Sequence, residues 1–198
     1  MRRMRRFVLA GLCGVALALA GGPMGASAQQ MEGLQVTSTS FGDGDYIPEV
    51  HVLGASAGLG CSGGNTSPQL AWSGAPDGTK SFAVTTFDPD APTGSGFWHW
   101  VVVNIPPDVS ELSAGAGTPP ASGLPRGALQ TRTDFGMPGY GGPCPPVGDH
   151  PHRYFFTVFA VGVDQLQQVT ADTPAAVIGF MLHFNSLAKG EIEGLYKH

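Results

Sequence analysis

Two stretches constrain the fold more than anything else in the chain. Phe97–Ile105 reads FWHWVVVNI and His152–Val161 reads HRYFFTVFAV. Both are aromatic and β-branched, and both are apolar at successive positions rather than at every second one. Strands of that kind are central and buried on both faces. Lys80–Phe87 (KSFAVTTF) has the same character, and Leu34–Ser38 alternates. Between such runs the 30 glycines and 17 prolines form no repeat; they close short segments with turns. Short strands punctuated in this way predict a mainly β domain.

One helix is expected near residues 174–189. Thr173 can cap it, Pro174 suits its first position and Gly190 can end it. Val177, Met181, Phe184 and Ala188 then form an apolar stripe at three- and four-residue spacing. Ile192–Tyr196 reads as a last short strand, and Asp108–Arg126 as a long surface loop. No second core is visible, so residues 29–198 make a single domain.

Residues 1–28 read as a secretory signal peptide. Arg2, Arg3, Arg5 and Arg6 precede the apolar run Phe7–Ala20, and Ala26-Ser27-Ala28 offers a cleavage site. The run is too short to span a bilayer comfortably, so stable membrane insertion is not expected. A periplasmic or secreted location follows. Cleavage removes four of the ten basic residues and no acidic one, leaving a formal charge of about −9. Such an acidic chain is a poor partner for nucleic acid or an anionic membrane surface. Export also leaves two cysteines, Cys61 and Cys144. In an oxidising compartment an even pair favours a disulfide, with two free thiols as the alternative.

Three polar clusters interrupt the apolar pattern. Asp88-Pro89-Asp90-Ala91-Pro92 follows a buried strand. By itself it also reads as an ordinary strand-ending turn, with Asp capping backbone N–H groups. His99 sits between Trp98 and Trp100, and strict alternation would place both tryptophans on the face opposite to it. Finally, Gly139–Phe156 (GYGGPCPPVGDHPHRYFF) brings glycines, prolines, Cys144, His150, His152 and Tyr154 together. His152 and Tyr154 alternate on a strand and can face one way; Pro151 makes His150 less certain to join them. Imidazoles, a phenol and glycine-flanked backbone N–H groups suit an anion with several oxygens, such as a phosphate ester. A nearby carboxylate can hold a histidine in its donating tautomer.

DPDAP (Asp88–Pro92), HWVVVN (His99–Asn104) and GPCPPVGDHPHRYFF (Gly142–Phe156) resemble the motifs of the phosphatidylethanolamine-binding protein family, also called Raf kinase inhibitor-like. GGNTSPQLAW (Gly63–Trp72) and the run from Thr133 to Pro143 resemble its bacterial branch. The resemblance implies a two-sheet Greek-key β-sandwich with few short helices and a small anion pocket at one end. Carried over residue by residue, Asp88, Asp90, His99, His152 and Tyr154 are ligand-binding. Gly142 and the turn at Cys144 offer backbone N–H groups, and Pro92 and Pro146 form walls. Trp98 replaces one of the family's paired histidines. The long C-terminal helix of eukaryotic members is not read in this sequence, which implies a more open pocket.

Neither a catalytic residue, a metal nor a cofactor is expected, since no nucleophile motif and no tight metal-ligand spacing is present. The function expected is an exported binding protein for phosphate-bearing small molecules or phospholipid head groups. Inhibition of a partner protein is the first alternative, and phosphoester hydrolysis by Asp and His the second. Homodimerisation is left open, with no motif behind it.

Overall fold

The computed structural model describes residues 33–120 and 123–198. The segment read as a signal peptide lies outside them. In chain order the elements are β1 (Gln35–Thr37), β2 (Asp45–Tyr46), β3 (Leu70–Ser73), β4 (Ser81–Asp88), β5 (Phe97–Ile105), β6 (Glu111–Leu112), β7 (Leu129–Gln130), β8 (His152–Val161), α1 (Ala175–Asn185) and β9 (Ser186–Tyr196). Two short 3-10 turns lie between β2 and β3. Strands β1-β3-β6 make a small sheet, and β2-β9-β8-β4-β5-β7 a large one. β4 pairs antiparallel with β5 on one side and with β8 on the other. The two sequence-predicted central strands therefore flank a third, and the fold is mainly β with two sheets, as expected.

Both faces of the large sheet are covered, which explains why its strands do not alternate. Inward, Phe82, Val84, Trp100, Val102, Tyr154, Phe156 and Val158 meet Leu34, Val36, Leu70, Trp72 and Leu112 from the small-sheet side. Outward, Ala83, Val101, Val103 and Val161 pack under Ala175, Ile178 and Leu182 of α1. Burial of each large side chain contributes on the order of 1.5–3 kcal/mol.

Several sequence expectations need correction. The helix stops at Asn185, and β9 follows at once, so the last strand begins at Ser186 rather than Ile192. Pairing with β8 from Ser186 to Tyr196 outweighs the local helical pattern. Gly190 lies inside β9, not at a helix end; it is glycine for another reason, since a Cβ there would sit 2.0 Å from the Leu34 carbonyl oxygen. The cap differs too: Thr173 Oγ1 accepts the Thr170 N–H, and Pro174 is the residue before the helix.

The helix also buries a different face. Ala175, Ile178 and Leu182 point inward, while Val177 and Phe184 of the expected stripe are exposed with Phe180. α1 is apolar on more than one side, so spacing alone does not select the buried one.

Segment 108–126, expected at the surface, contains β6 and supplies buried Leu112 and Ala116 to the inter-sheet core. Gly117 there lies against Trp100, so closely that a Cβ would approach the indole to 2.3 Å.

Candidate ligand-binding site

Asp88 ends β4, while Phe97 and His152 begin β5 and β8. Antiparallel pairing brings these three strand ends to one edge of the large sheet. A cavity of about 190 Å³ opens there. Asp88, Pro92, His99, Cys144, Pro146, His152 and Tyr154 line it, as do Leu59, Ala91, Thr93, Phe97, Phe135 and Pro145.

Asp88 is the hub. Its Oδ1 accepts the N–H groups of Asp90 and Ala91 at 2.8 and 3.0 Å, the turn-capping role an Asp-Pro turn suggests. Its Oδ2 accepts the Nδ1–H of His152 at 2.8 Å. Both side chains are buried. The carboxylate thus stiffens the DPDAP turn and fixes the imidazole in one orientation.

His99 reaches the cavity through a β-bulge. Thr86 pairs with Trp100 and Phe87 with Trp98, so His99 is an extra residue on β5. Strict alternation fails there. Trp98 turns outward against Phe87 and the helix-covered cluster, while Trp100 enters the inter-sheet core. The expectation of both tryptophans on one face is corrected accordingly. The His99 ring meets Tyr154 and Phe135 edge-on, with centroids 5.2 and 5.3 Å away. Its Nδ1–H donates to the Gly141 carbonyl at 2.8 Å. Burial pushes the imidazole below its ordinary pKa, against the opposing pull of that carbonyl and of Asp88. His99 is therefore neutral, and Nε2 offers the cavity a lone pair rather than a positive charge.

Tyr154 is fully buried; its hydroxyl makes no well-formed hydrogen bond among the described residues and has the Asp88 carboxylate close by. Burial, with the Asp88 charge second, raises its pKa far above the usual phenol value, so it stays an O–H donor.

Two expected site residues lie outside the cavity lining. Asp90 turns to Arg153, accepting its Nε–H at 2.9 Å, an Nη2–H at 2.7 Å and the backbone N–H at 3.0 Å. The guanidinium lowers the Asp90 carboxyl to about 2. The Gly142 N–H is already donated to Asn65 Oδ1 at 2.8 Å. Gly142 is needed for another reason: a Cβ would strike the His51 carbonyl oxygen at 2.2 Å. Cys61 and Cys144 are joined by a disulfide with Cα atoms 5.9 Å apart. It ties the segment after β2 to the proline-rich loop at the cavity wall.

Sequence reasoning did not single out Phe135 or Asp149. Phe135 comes from the Thr133–Gly136 turn and lies between the small cavity and a neighbouring cleft of about 490 Å³ lined by Asn65, Thr118, Met137 and Gly139. Asp149 Oδ2 stands 3.4 Å from His152 Nε2. Both residues belong to quoted motif runs, but only the folded loops show that they face the histidines.

A family model described as phosphatidylethanolamine-binding protein matches residues 37–197. The UPF0098 protein YbcL of Escherichia coli is 50% identical over 168 residues, covering 85% of this chain and 90% of that protein. The crystal structure of E. coli YbcL, described as a new member of the mammalian PEBP family, superposes with a TM-score of 0.80 over 83% of this chain and 98% of its own. A putative homologue from Chlamydia trachomatis, 28% identical, gives 0.68 over 84% of this chain and 98% of its own. Among the described residues, no helix is long and apolar enough to cross a membrane.

Proposed function

The chain belongs to the phosphatidylethanolamine-binding protein family, and from that premise we propose that it is an exported binding protein whose small cavity takes a phosphate-bearing head group. The supporting observation is that His99, His152 and Tyr154, brought from two strands, line one small cavity. Tyr154 donates to a phosphate oxygen. Neutral His99 accepts from a protonated phosphate oxygen or a ligand ammonium. His152, backed by Asp88, gains donor capacity at Nε2 when protonated.

The size of about 190 Å³ favours a head group over a whole lipid, with the remainder of the ligand held outside. Leu59 and Val147, both exposed near this face, suit an apolar remainder. In this reading the protein acts by binding, and Asp88, with both oxygens engaged, serves to hold the turn and His152. The arginine-rich apolar N-terminus supports export to the periplasm or beyond.

Phosphorus NMR titration of phosphoethanolamine and inorganic phosphate into the purified protein tests the reading. Saturable binding that Tyr154→Phe weakens is expected. No saturable binding by the folded wild type overturns it and moves the weight to recognition of a partner protein.

A further inference from the structure

We infer that Asp149, His150 and His152 form a site for a borderline divalent transition-metal ion, of the Zn²⁺ class, at the rim of the cavity. The ligand atoms of these three side chains all lie within 4.8 Å of one another. This does not rest on the phosphate reading; the two share His152 Nε2, which ligates the ion in one and donates to phosphate when protonated in the other.

The carboxylate behind His152 is the first reason. Asp88 Oδ2 accepts the Nδ1–H at 2.8 Å, so the neutral imidazole carries its lone pair on Nε2. That lone pair faces Asp149 Oδ2, another acceptor, at 3.4 Å. A shared cation, a metal ion in place of the imidazole proton, joins two such ligand atoms. The separation is long for a hydrogen bond. It fits two ligands of one tetrahedral ion: bonds of about 2.0–2.1 Å place neighbouring ligand atoms about 3.3 Å apart.

The third ligand is close and free to adjust. His150 Nδ1 lies 2.9 Å from Asp149 Oδ1, and its ring centroid is 5.2 Å from that of His152. The His150 side chain is 63% exposed, so a small rotation brings its nitrogen to the ion at little packing cost. Buried Asp88 meanwhile supplies the outer carboxylate that orients a metal-bound imidazole and raises its basicity. Pro151 and the nearby Cys61–Cys144 disulfide keep the loop stiff.

Two imidazoles and one carboxylate select borderline ions such as Zn²⁺, Co²⁺ or Ni²⁺ over Ca²⁺ and Mg²⁺, which prefer all-oxygen shells. Three protein ligands leave a fourth position for water or an anionic oxygen.

The test is calorimetric titration of Zn²⁺ into the tag-free, metal-stripped wild-type protein in phosphate-free buffer, with the visible d–d spectrum of bound Co²⁺ as a second readout. His150→Ala and Asp149→Asn are the variants, because both side chains reach solvent and neither belongs to the core; matching melting curves without metal establish that the fold is kept. One Zn²⁺ per chain, weakened about tenfold or more in each variant with loss of the Co²⁺ spectrum, is expected. No Zn²⁺ binding, binding unchanged in both variants, or equal affinity for Mg²⁺ overturns the inference.

Discussion

Asp88 and His152 are 64 residues apart in sequence, yet Oδ2 of one accepts the Nδ1–H of the other at 2.8 Å inside the protein. The pair links the DPDAP turn to the start of β8 and sets the orientation of the imidazole at the cavity. Asp88→Asn keeps the shape but removes the charge and confronts the imidazole with an amide of either orientation. A stability loss of about 1–3 kcal/mol is expected, together with weaker phosphate binding. Urea denaturation and the phosphorus titration measure the two effects. A fully stable variant with unaltered binding would show that the pair orients nothing of consequence.

Tyr154→Phe separates function from stability. The hydroxyl it removes makes no well-formed hydrogen bond in the fold beyond its approach to Asp88, so the variant should lose little or no stability. If the hydroxyl serves the ligand, affinity should fall about tenfold, the weight of one hydrogen bond to a charged group. A marked drop in melting temperature would instead mean that the hydroxyl is satisfied within the folded protein.

His99 gives a pH signature. Its folded pKa is lowered by burial, whereas in the unfolded chain it titrates near ~6.5. Below ~6.5 the unfolded chain binds the extra proton first, so this residue makes stability fall as pH drops through that value. Above it the contribution is constant. NMR titration of the His99 ring should give a midpoint below that of a free histidine. A midpoint above it would show that the imidazole is held as a cation.

The Cys61–Cys144 bond closes a loop with a sequence separation of 83. Protein unfolded without reductant should present no titratable thiol from this pair. Cys144→Ser should cost about 2–5 kcal/mol and loosen the cavity wall. Two reactive thiols in the unreduced protein would contradict the bond.

Gly190→Ala tests the corrected end of α1. Backbone contact with Leu34 leaves no room for a methyl group in β9, and the expected loss is roughly 1–3 kcal/mol. Were the helix to continue to Gly190, alanine would be tolerated or favourable there.

The sequence by itself determined the layers and most of the chemistry at one end of them. Runs such as Phe97–Ile105 and His152–Val161 announce strands covered on both sides, because only a buried face tolerates that many apolar side chains. Motif runs around Asp88, His99 and Tyr154 named most of the cavity before any coordinate. What the sequence left undecided depends on register and approach. A single bulge at His99 sends Trp98 and Trp100 to opposite faces of the sheet, and alternation cannot reveal it because the extra residue exists only relative to β4. α1 offers apolar residues on more than one face, and only the sheet beneath it selects Ile178 and Leu182. Asp90 and Asp88 look equivalent in DPDAP, yet the turn that follows β4 sends one to Arg153 at the surface and leaves the other facing His152 in the interior. Side-chain identity and local period are properties of the chain. Which acceptor meets which donor is a long-range choice, made when distant strands pair.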